Sequence, residues 1–406
     1  TATFTQTGGT HAPASGVDIA DPSGSAGTYN LSGGTLSTSS VFGNAGNSTF
    51  NFNGGTLQAT AANTGFLSAL TRSNVRNAGA VFDTNGFNVT VSQVLSHSDL
   101  GSLNNTAVVT GGGTGYLAPP IVTVSGGGGY GATATAVVAG GSVTNVILSG
   151  GSNYTSTPAL TFSGGGGTGA GATALFTPDN STDGGLAKNG SGTLTLAGAS
   201  TYTGVTNINA GNLRVDNTAG SATGTGTVLV NSNATVGGTG TIAGPTVVGP
   251  NAGAIATLDP GNGAPGRLTF SSSLAITPNA RFNVKIGGTT AGTTYDQVRV
   301  GGALTLLGNL NVNLTGGFVP SVGQTFYILD DTGTASPTGT FANAPGGIYT
   351  DSTGTVYTVT YASHDPADMS NSDLNDVSLT VVPEPASLGL LALGSLCLLA
   401  RRRRDR

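Results

Sequence analysis

Four aspartates in one short segment are the clearest candidates for chemistry in this sequence. Residues 364–382 read HDPADMSNSDLNDVSLTVV and contain Asp365, Asp368, Asp373 and Asp376. Carboxylate oxygens that lie this close together in the chain could hold Ca²⁺. Their spacing fits neither the EF-hand loop nor the Gly/Asp nonapeptide of calcium-binding β-rolls. The favoured interpretation is therefore a solvated loop before the last strand, and a calcium site is the alternative.

A second acidic pair raises the question of sugar hydrolysis, which needs two carboxylates facing one glycosidic bond. Asp330 and Asp331 are adjacent, but they begin the turn-like sequence DDTGTASPTG, which favours a solvated loop end. Only eight basic residues precede Arg401, and they are scattered along the chain. We therefore expect no enzyme, with a carbohydrate-active β-helix lyase or glycosidase as the alternative.

The chain contains two tetraglycine runs, Gly126–Gly129 and Gly164–Gly167, which are as rich in glycine as phosphate-binding loops. Neither run is followed by Lys-Ser or Lys-Thr, and no helix pattern follows that could hold an anion at its N-terminus. Tight turns between strands are the favoured interpretation.

The composition of the 406 residues predicts an all-β protein. There are 69 glycines, no tryptophan, one methionine and one cysteine, and only 8% of the residues are charged. Strong helix formers such as Glu, Lys, Gln and Met are scarce, whereas Thr and Val suit strands. The low charge also argues against disorder. The lone Cys397 has no internal disulfide partner, and the three histidines lack metal-ligand spacing, so we expect neither a metal nor another cofactor.

Eight basic and 17 acidic residues precede Arg401, a net charge of −9. A body with this charge would be repelled by phosphate backbones, so nucleic acid is excluded as a partner.

The body of the chain contains short repeats that predict a β-solenoid. NLSGGTL at Asn30–Leu36 recurs as NFNGGTL at Asn51–Leu57, an offset of 21 residues that suits one turn. Later segments such as GTLTLAG, RFNVKI and LTLLGNLNVNL alternate apolar with polar residues. Alternation places Leu, Val and Ile inward, including Leu194 and Leu310, and Thr, Asn, Arg or Lys outward. Each turn buries little alone, so stacking must supply the core.

One longer segment carries a family resemblance. Residues 184–215, GGLAKNGSGTLTLAGASTYTGVTNINAGNLRV, resemble the autotransporter-associated β-strand repeat through Lys188-Asn189-Gly190, the GTLTL strand and Tyr202-Thr203-Gly204. The stretch from Thr218 to about Val382 is similar to the C-terminal part of such passenger proteins. The resemblance implies an elongated right-handed parallel β-helix exposed outside the cell. No translocating β-barrel sequence follows, so self-secretion is not expected.

A different repeat interrupts the solenoid pattern. Residues from Tyr116 recur from Tyr154 at an offset of 38, including both tetraglycine runs. Each copy is typical of a strand, a glycine turn and a second strand. We interpret 106–178 as an inserted small β-module, which either binds a partner or serves as a spacer.

The chain ends in VVPEPASLGLLALGSLCLLARRRRDR. Residues 386–400 are uncharged, which is short for a membrane span of roughly 20 residues, and Arg401, Arg402, Arg403 and Arg404 follow. Flanking arginines can snorkel, so a single-pass transmembrane helix is expected, with the arginines as a cytoplasmic basic stop. Pro383 and Pro385 keep the residues around Glu384 extended and outside any helix.

This order of Pro383-Glu384-Pro385, apolar helix and arginine cluster resembles the PEP-CTERM sorting signal of Gram-negative bacteria. The resemblance implies recognition and removal of the tag by an exosortase, and a signal peptide ahead of Thr1. We therefore predict four regions: solenoid turns in 1–105, the module in 106–178, the repeat solenoid and C-terminal β region in 179–382, and the sorting signal in 383–406. The predicted function is that of an exported structural or adhesin-like protein. It would be held transiently in the inner membrane and then presented at the cell surface or in the extracellular matrix, with an extracellular polysaccharide as a candidate partner.

Overall fold

The computed structural model describes residues 2–21, 24–97, 101–129, 131–149, 154, 156–178, 184–333, 335–367 and 374–383. All regular structure in these ranges is β-strand, which confirms the predicted all-β class. The chain forms two compact units: Thr1–Ser96 with Gly185–Arg406, and His97–Gly184. The second unit contains the predicted module and extends beyond 106–178 at both ends.

The first unit is a coil in which the chain visits three parallel sheets in a fixed order. Its first face begins with the C-terminal half of β3 (Ala26–Thr38) and continues through β6 (Thr56–Ala59), β9 (Ala80–Asp83), β20 (Leu186–Asn189), β22 (Thr206–Ile208), β24 (Val228–Val230), β27 (Thr246–Val248), β30 (Leu274–Ile276), β33 (Leu304–Leu306) and β36 (Thr338–Gly339).

The second face is made of ten strands, each of which follows a first-face strand or precedes a third-face strand. They are β2 (Val17–Asp18), β4 (Val41–Phe42), β7 (Asn63–Ser68), β10 (Val89–Val91), β21 (Thr193–Leu196), β23 (Gly211–Val215), β25 (Ala234–Gly238), β28 (Ala256–Pro260), β31 (Ala280–Ile286) and β34 (Asn309–Leu314).

The third face has strands near both ends of the coil. They are the N-terminal half of β3, β5 (Asn47–Phe52), β8 (Arg72–Val75) and β11 (Ser96–His97), and later β26 (Thr241–Ile242), β29 (Arg267–Phe270), β32 (Gln297–Val300) and β35 (Thr325–Asp331). Between these two groups of strands, successive turns are joined on the third face by single backbone hydrogen bonds. The N–H groups of Thr201, Ser200 and Ala222 donate to the carbonyl oxygens of Leu95, Ser221 and Thr241, respectively.

The register of the coil matches the predicted repeat. Asn30 pairs with Asn51 and Leu36 with Leu57, at the offset of 21 residues read from the sequence. The predicted inward residues Leu194 and Leu310 are 0% and 2% exposed and belong to one continuous apolar core. The coil is thus a parallel β-solenoid, and its right-handed sense and elongation stay predictions.

Asparagine side chains reinforce this register at the coil's surface. A ladder of side-chain hydrogen bonds joins Asn189, Asn209, Asn231 and Asn251. In each step the side-chain Nδ2 donates to the Oδ1 of the asparagine one turn earlier, at 2.9, 2.9 and 3.0 Å. A ladder satisfies polar groups only where the same residue type recurs at the turn spacing, so it selects this register over a slipped one.

The strands before and after the second unit in the sequence pair directly with each other. Leu186 of β20 pairs directly with Ala80 of β9, and Leu194 of β21 pairs with Val89 of β10. Within the second unit, β12 (Gly101–Leu103) pairs antiparallel with β19 (Phe176–Pro178), which brings the two ends of the insertion side by side. The first and last strands of the insertion therefore lie next to each other.

The second unit itself is antiparallel. Its six-stranded sheet contains β17 (Ala159–Ser163), β14 (Ile121–Ser125), β15 (Thr133–Ala139), β16 (Ser142–Ser149), β13 (Thr106–Thr114) and β18 (Thr168–Thr173), in that spatial order. The 38-residue repeat is visible in the pairing, because Thr123 lies opposite Thr161, its own equivalent in the second copy.

Each end of the coil carries different strands. At the N-terminal end, β1 (Ala2–His11) pairs in parallel with the whole of β3. At the C-terminal end, β37 (Ile348–Thr350), β38 (Val356–Ser363) and β39 (Asp376–Val382) add to β35 in antiparallel order and form the C-terminal cap.

Candidate functional site

The C-terminal cap brings together two of the predicted calcium ligands. The Asp376 carboxylate accepts hydrogen bonds from the backbone N–H groups of Asp331 (2.8 Å) and Asp365. Asp365 accepts hydrogen bonds from Ala367 N (2.9 Å) and Gln297 Nε2 (3.1 Å). Asp365 and Asp376 are 5% and 1% exposed, so the expected solvated loop is wrong for both. These carboxylates accept hydrogen bonds from backbone N–H groups that have no strand partner in the cap. They also attach the loop to β32 through Gln297 and to β35 through Asp331.

The calcium prediction receives no further ligand from the described part of the chain. Among the described residues, no three His, Cys, Asp or Glu side chains are grouped so as to hold a metal ion. Asp368 and Asp373 lie outside the described residues.

Asp330 and Asp331 were also expected in a solvated loop, and this expectation is wrong. Both lie in β35 and are at most 1% exposed. Arg299 Nε donates to Asp330 Oδ2 at 2.9 Å from the neighbouring β32, and Gly333 N donates to Asp331 Oδ1 at 2.9 Å. The pKa of Asp331 is raised to about 6, mainly by burial and in part by the nearby carboxylates of Asp376 and Asp330, while the hydrogen bond from Gly333 N opposes the rise.

Lys285 lies on the side of β31 opposite to the core residues Val284 and Ile286, as alternation in RFNVKI predicts, but it is not exposed to solvent. It is 7% exposed: its ammonium contacts the Asp259 carboxylate, lies 2.9 Å from Asp296 Oδ2 and donates to Pro260 O at 2.8 Å. Burial raises the pKa of Asp296 to about 6, and the Lys285 charge opposes that rise. A lysine is buried on this side of the strand because two aspartates, one on the adjacent turn, pair with it.

Lys188, quoted above only as part of a repeat, is also completely buried. Its ammonium donates to Thr84 Oγ1 (3.1 Å) and to the carbonyl oxygens of Asn189 (2.9 Å), Gly190 (2.7 Å) and Ala210 (3.0 Å). Burial lowers the pKa of Lys188 to about 8, partly offset by the charge of Asp83. The lysine fastens a coil corner to the turns before and after it, so its role is structural.

The predicted sorting motif begins where the C-terminal cap ends. β39 lies between β35 and β38 and stops at Val382, and the next residue, Pro383, is exposed. Glu384, Pro385, the apolar run 386–400 and Arg401–Arg404 lie outside the described residues. Within the described ranges no helix has the length and apolar character needed to cross a membrane. The transmembrane helix and the basic stop therefore stay predictions.

An aromatic patch occupies the opposite end of the coil and was missed at the level of sequence. Phe4 is 50% exposed, and its ring centroid lies 5.3 Å from that of His11 and 5.0 Å from that of Tyr29. His11 Nδ1 lies 2.9 Å from Tyr29 Oη, which donates to Gln6 Oε1 at 2.7 Å. The strand carrying Phe4, Gln6 and His11 lines a shallow open groove. This arrangement offers an apolar ring face beside polar groups.

The tetraglycine runs are turns, as expected, and each covers a tyrosine of the other repeat copy. A Cβ atom on Gly129 would lie 2.4 Å from Cγ of Tyr154, and one on Gly167 would lie 2.5 Å from Cγ of Tyr116. Both tyrosines are at most 5% exposed. Glycine is therefore required at both positions by a ring packed on the backbone.

Comparison with known proteins confirms the resemblance to the passenger repeat and the resemblance to the sorting signal. Residues 186–215 match the family model of the passenger-associated-transport-repeat, and residues 381–404 match the PEP-CTERM protein-sorting motif. Over 174 residues the chain is 33% identical to the adhesin BmaC autotransporter of Brucella suis biovar 1 (strain 1330). The match covers 42% of this chain and 5% of that adhesin, so the chain corresponds to a small part of its relative.

Proposed function

We propose that this chain is an exported, adhesin-like structural protein that an exosortase sorts through its C-terminal tag. The match of residues 381–404 to the PEP-CTERM motif carries the proposal. The similarity to an adhesin passenger supports a surface role. In this proposal the run 386–400 is a transient inner-membrane helix, and Arg401–Arg404 remain cytoplasmic because basic residues flank the inner side of membrane spans.

The junction between cap and tag suits such processing. Because β39 is paired on both sides and Pro383 is exposed, the motif would leave a closed cap as extended chain. Cleavage near the motif would remove no strand of the cap. The processed protein would then keep its fold at the cell surface or in the extracellular matrix.

The sorting proposal is tested by changing the tag in its native host. Glu384→Gln, or replacement of Arg401–Arg404 together by Gln, is expected to leave full-length precursor in the inner-membrane fraction. Asp405→Asn changes a carboxylate outside the motif and is the matched control, expected to be processed as the wild type is. Normal yield of mature protein from the Glu384 and arginine variants would contradict the proposal.

The buried carboxylates support a structural role over the carbohydrate-active enzyme. In the described residues Asp296, Asp331 and Asp376 accept backbone hydrogen bonds inside the fold. A glycosidase needs carboxylates that reach a substrate from either side of its bond. These side chains are held away from solvent instead.

For the partner we propose an extracellular polysaccharide bound at the aromatic patch of β1. Phe4 offers an exposed ring face, and the partly exposed imidazole of His11 lies beside it. Phe4→Ala should lower binding to the host's own matrix polysaccharide, and Val319→Ala, at an 82% exposed site elsewhere, should not. Equal binding by both variants would rule out this patch.

A further inference from the structure

The chain contains two lysines, and both are buried, but their partners differ. The ammonium of Lys188 donates to a hydroxyl oxygen and to three carbonyl oxygens. The ammonium of Lys285 lies between two carboxylates, those of Asp259 and Asp296. A lysine amine is a nucleophile in its neutral form, and a carboxyl group in contact with it is the second reactant of amide formation.

The amine and the Asp259 carboxyl come from adjacent turns of the coil. Their strands, β28 and β31, are neighbours in the second face, where Leu258 pairs with Phe282. Asp259 directly follows Leu258, and the Lys285 side chain reaches its Oδ1 across the strand pair. Lys285 Nζ also donates to Pro260 O at 2.8 Å, which holds the amine against β28. Two reactants held in contact react as parts of one molecule, without the entropy cost of meeting.

Asp296 is a fixed proton acceptor beside this pair. Its Oδ2 lies 2.9 Å from Lys285 Nζ, and its side chain is completely buried. The backbone N–H groups of Gly266 and Lys285 donate to its two oxygens at 2.8 and 2.7 Å, so the carboxyl group cannot turn away. The pKa of Asp296 is raised to about 6, mainly by burial, while the Lys285 charge opposes the rise. This carboxyl group therefore takes up a proton more readily than an exposed aspartate.

We propose that Lys285 and Asp259 form an intramolecular isopeptide bond, with Asp296 as the proton carrier. Asp296 takes one proton from the ammonium, and the neutral amine attacks Cγ of Asp259 to form the new C–N bond. In the tetrahedral intermediate, one proton from the nitrogen and the proton on Asp296 pass to an Asp259 oxygen. The C–O bond to that oxygen breaks, and the oxygen leaves as water. An ammonium and a carboxylate thus become an amide and water, so the step needs no oxidant, reductant or further reactant.

The different exposure of the two reactants suits the release of this water. The Asp259 side chain is 20% exposed, whereas the Lys285 side chain is 9% exposed. The leaving oxygen therefore has a path to solvent, while the amine is shielded from it. After the reaction the amide N–H still lies beside the Asp296 carboxylate, which is an acceptor for it.

The bond ties β28 to β31 and closes a loop between residues 26 positions apart. A cross-link of this kind restricts the unfolded chain as a disulfide does. The one cysteine of the chain, Cys397, has no partner for an internal disulfide. An isopeptide bond would therefore give the coil a covalent fastening between turns that persists in denaturant and in reductant.

The test is the mass of the purified full chain, denatured and reduced, against the mass calculated from its sequence. We expect the wild type to be lighter by the mass of one water molecule. Lys285→Arg keeps a positive charge between the two aspartates but lacks the amine, so it should show its full mass. Asp296→Asn cannot take up the proton and should show its full mass as well, with circular dichroism verifying that both variants retain their β-structure.

Trypsin digestion of the denatured chain locates the bond. An amide on Lys285 blocks cleavage after it, so residues 215–267 should be recovered joined to residues 282–299. Lys188 is the internal control, and cleavage after it should be complete. A wild type of full mass that yields separate peptides 282–285 and 286–299 would overturn the proposal. A loss of water that persists in Lys285→Arg would overturn it too, and one that persists in a folded Asp296→Asn would contradict the role of Asp296.

Discussion

The two units of this protein fill their interiors in different ways. The solenoid buries charged side chains and pairs them between turns: Lys188 reaches a carbonyl on the next turn, and Lys285 meets Asp259 and Asp296. The second unit has no charged residue in 101–178 and packs glycine backbone on tyrosine rings. A coil offers every turn a neighbour in fixed register, so a polar group can find its partner there. The second unit must supply its contacts from the two repeat copies within it.

The largest expected effect comes from placing a charge inside the coil. Leu194 is fully buried and lies in register with Val89 and Leu213 on the adjacent turns. Leu194→Glu should lower the free energy of unfolding by about 4 kcal/mol or more, because an unpaired carboxylate would be buried. Thr135→Glu, at an exposed position of β15 in the second unit, should change it by about 0.5 kcal/mol or less. Denaturant unfolding followed by circular dichroism distinguishes them, and equal losses would refute the assigned turns.

A slightly smaller loss is expected when the buried lysine is removed. Lys188→Ala removes the ammonium that donates to the carbonyl oxygens of Gly190 and Ala210 and leaves a cavity in the core, which should cost about 3–5 kcal/mol. Arg281→Ala removes an exposed cation from the same coil and is the control, expected to cost about 0.5 kcal/mol or less. If both variants melt alike, Lys188 does not fasten the corner.

The Asp331 carboxyl sharpens the comparison through pH. Its folded pKa of about 6 lies above the unfolded value of 3.8, so the folded chain binds the proton more tightly. Its contribution to stability is therefore fully present below pH 4 and is lost as pH rises through 6. Asp331→Asn retains an acceptor for Gly333 N and should stabilise the chain by up to about 3 kcal/mol at pH 7. We expect that gain to vanish at pH 4, and a gain independent of pH would contradict this explanation.

The smallest expected effect tests the second unit's internal symmetry. Gly129→Ala and Gly167→Ala each push a methyl group into a tyrosine ring, so both should destabilise the unit by a similar 1–2 kcal/mol, roughly. Gly111→Ala is the control, because its Cβ atom would have its nearest neighbour at an ordinary 3.5 Å. Hydrogen exchange of the 106–173 strands measures the unit separately from the coil. Unequal losses at Gly129 and Gly167 would break the repeat relation.

The sequence alone predicts the parts of this fold that depend on local periodicity. The offset of Asn30 and Asn51, the inward leucines and the glycine turns all follow from alternation and repeat spacing. The buried aspartates and lysines do not, because their partners lie on other turns: Gln297 and Asp365 are 68 residues apart, and Asp331 and Asp376 are 45 apart. Alternation assigns a charged residue outward unless such a partner is known.

The candidate sites divide in the same way. The sorting motif was predicted because its three parts are contiguous in the chain. The aromatic patch was missed because Phe4 and Tyr29 meet only when β1 pairs with β3. The repeat at an offset of 38 pointed to the module without revealing which of its residues stay exposed.

We propose above all that the C-terminal tag sorts this protein to the cell surface or matrix and is then removed. Its most direct test is the intact mass of the protein recovered from the surface or matrix fraction of its native host. We expect a mature C-terminus at or near Pro383–Pro385, with the apolar run 386–400 and the arginines absent. A mature protein that still ends in RRRRDR would contradict it.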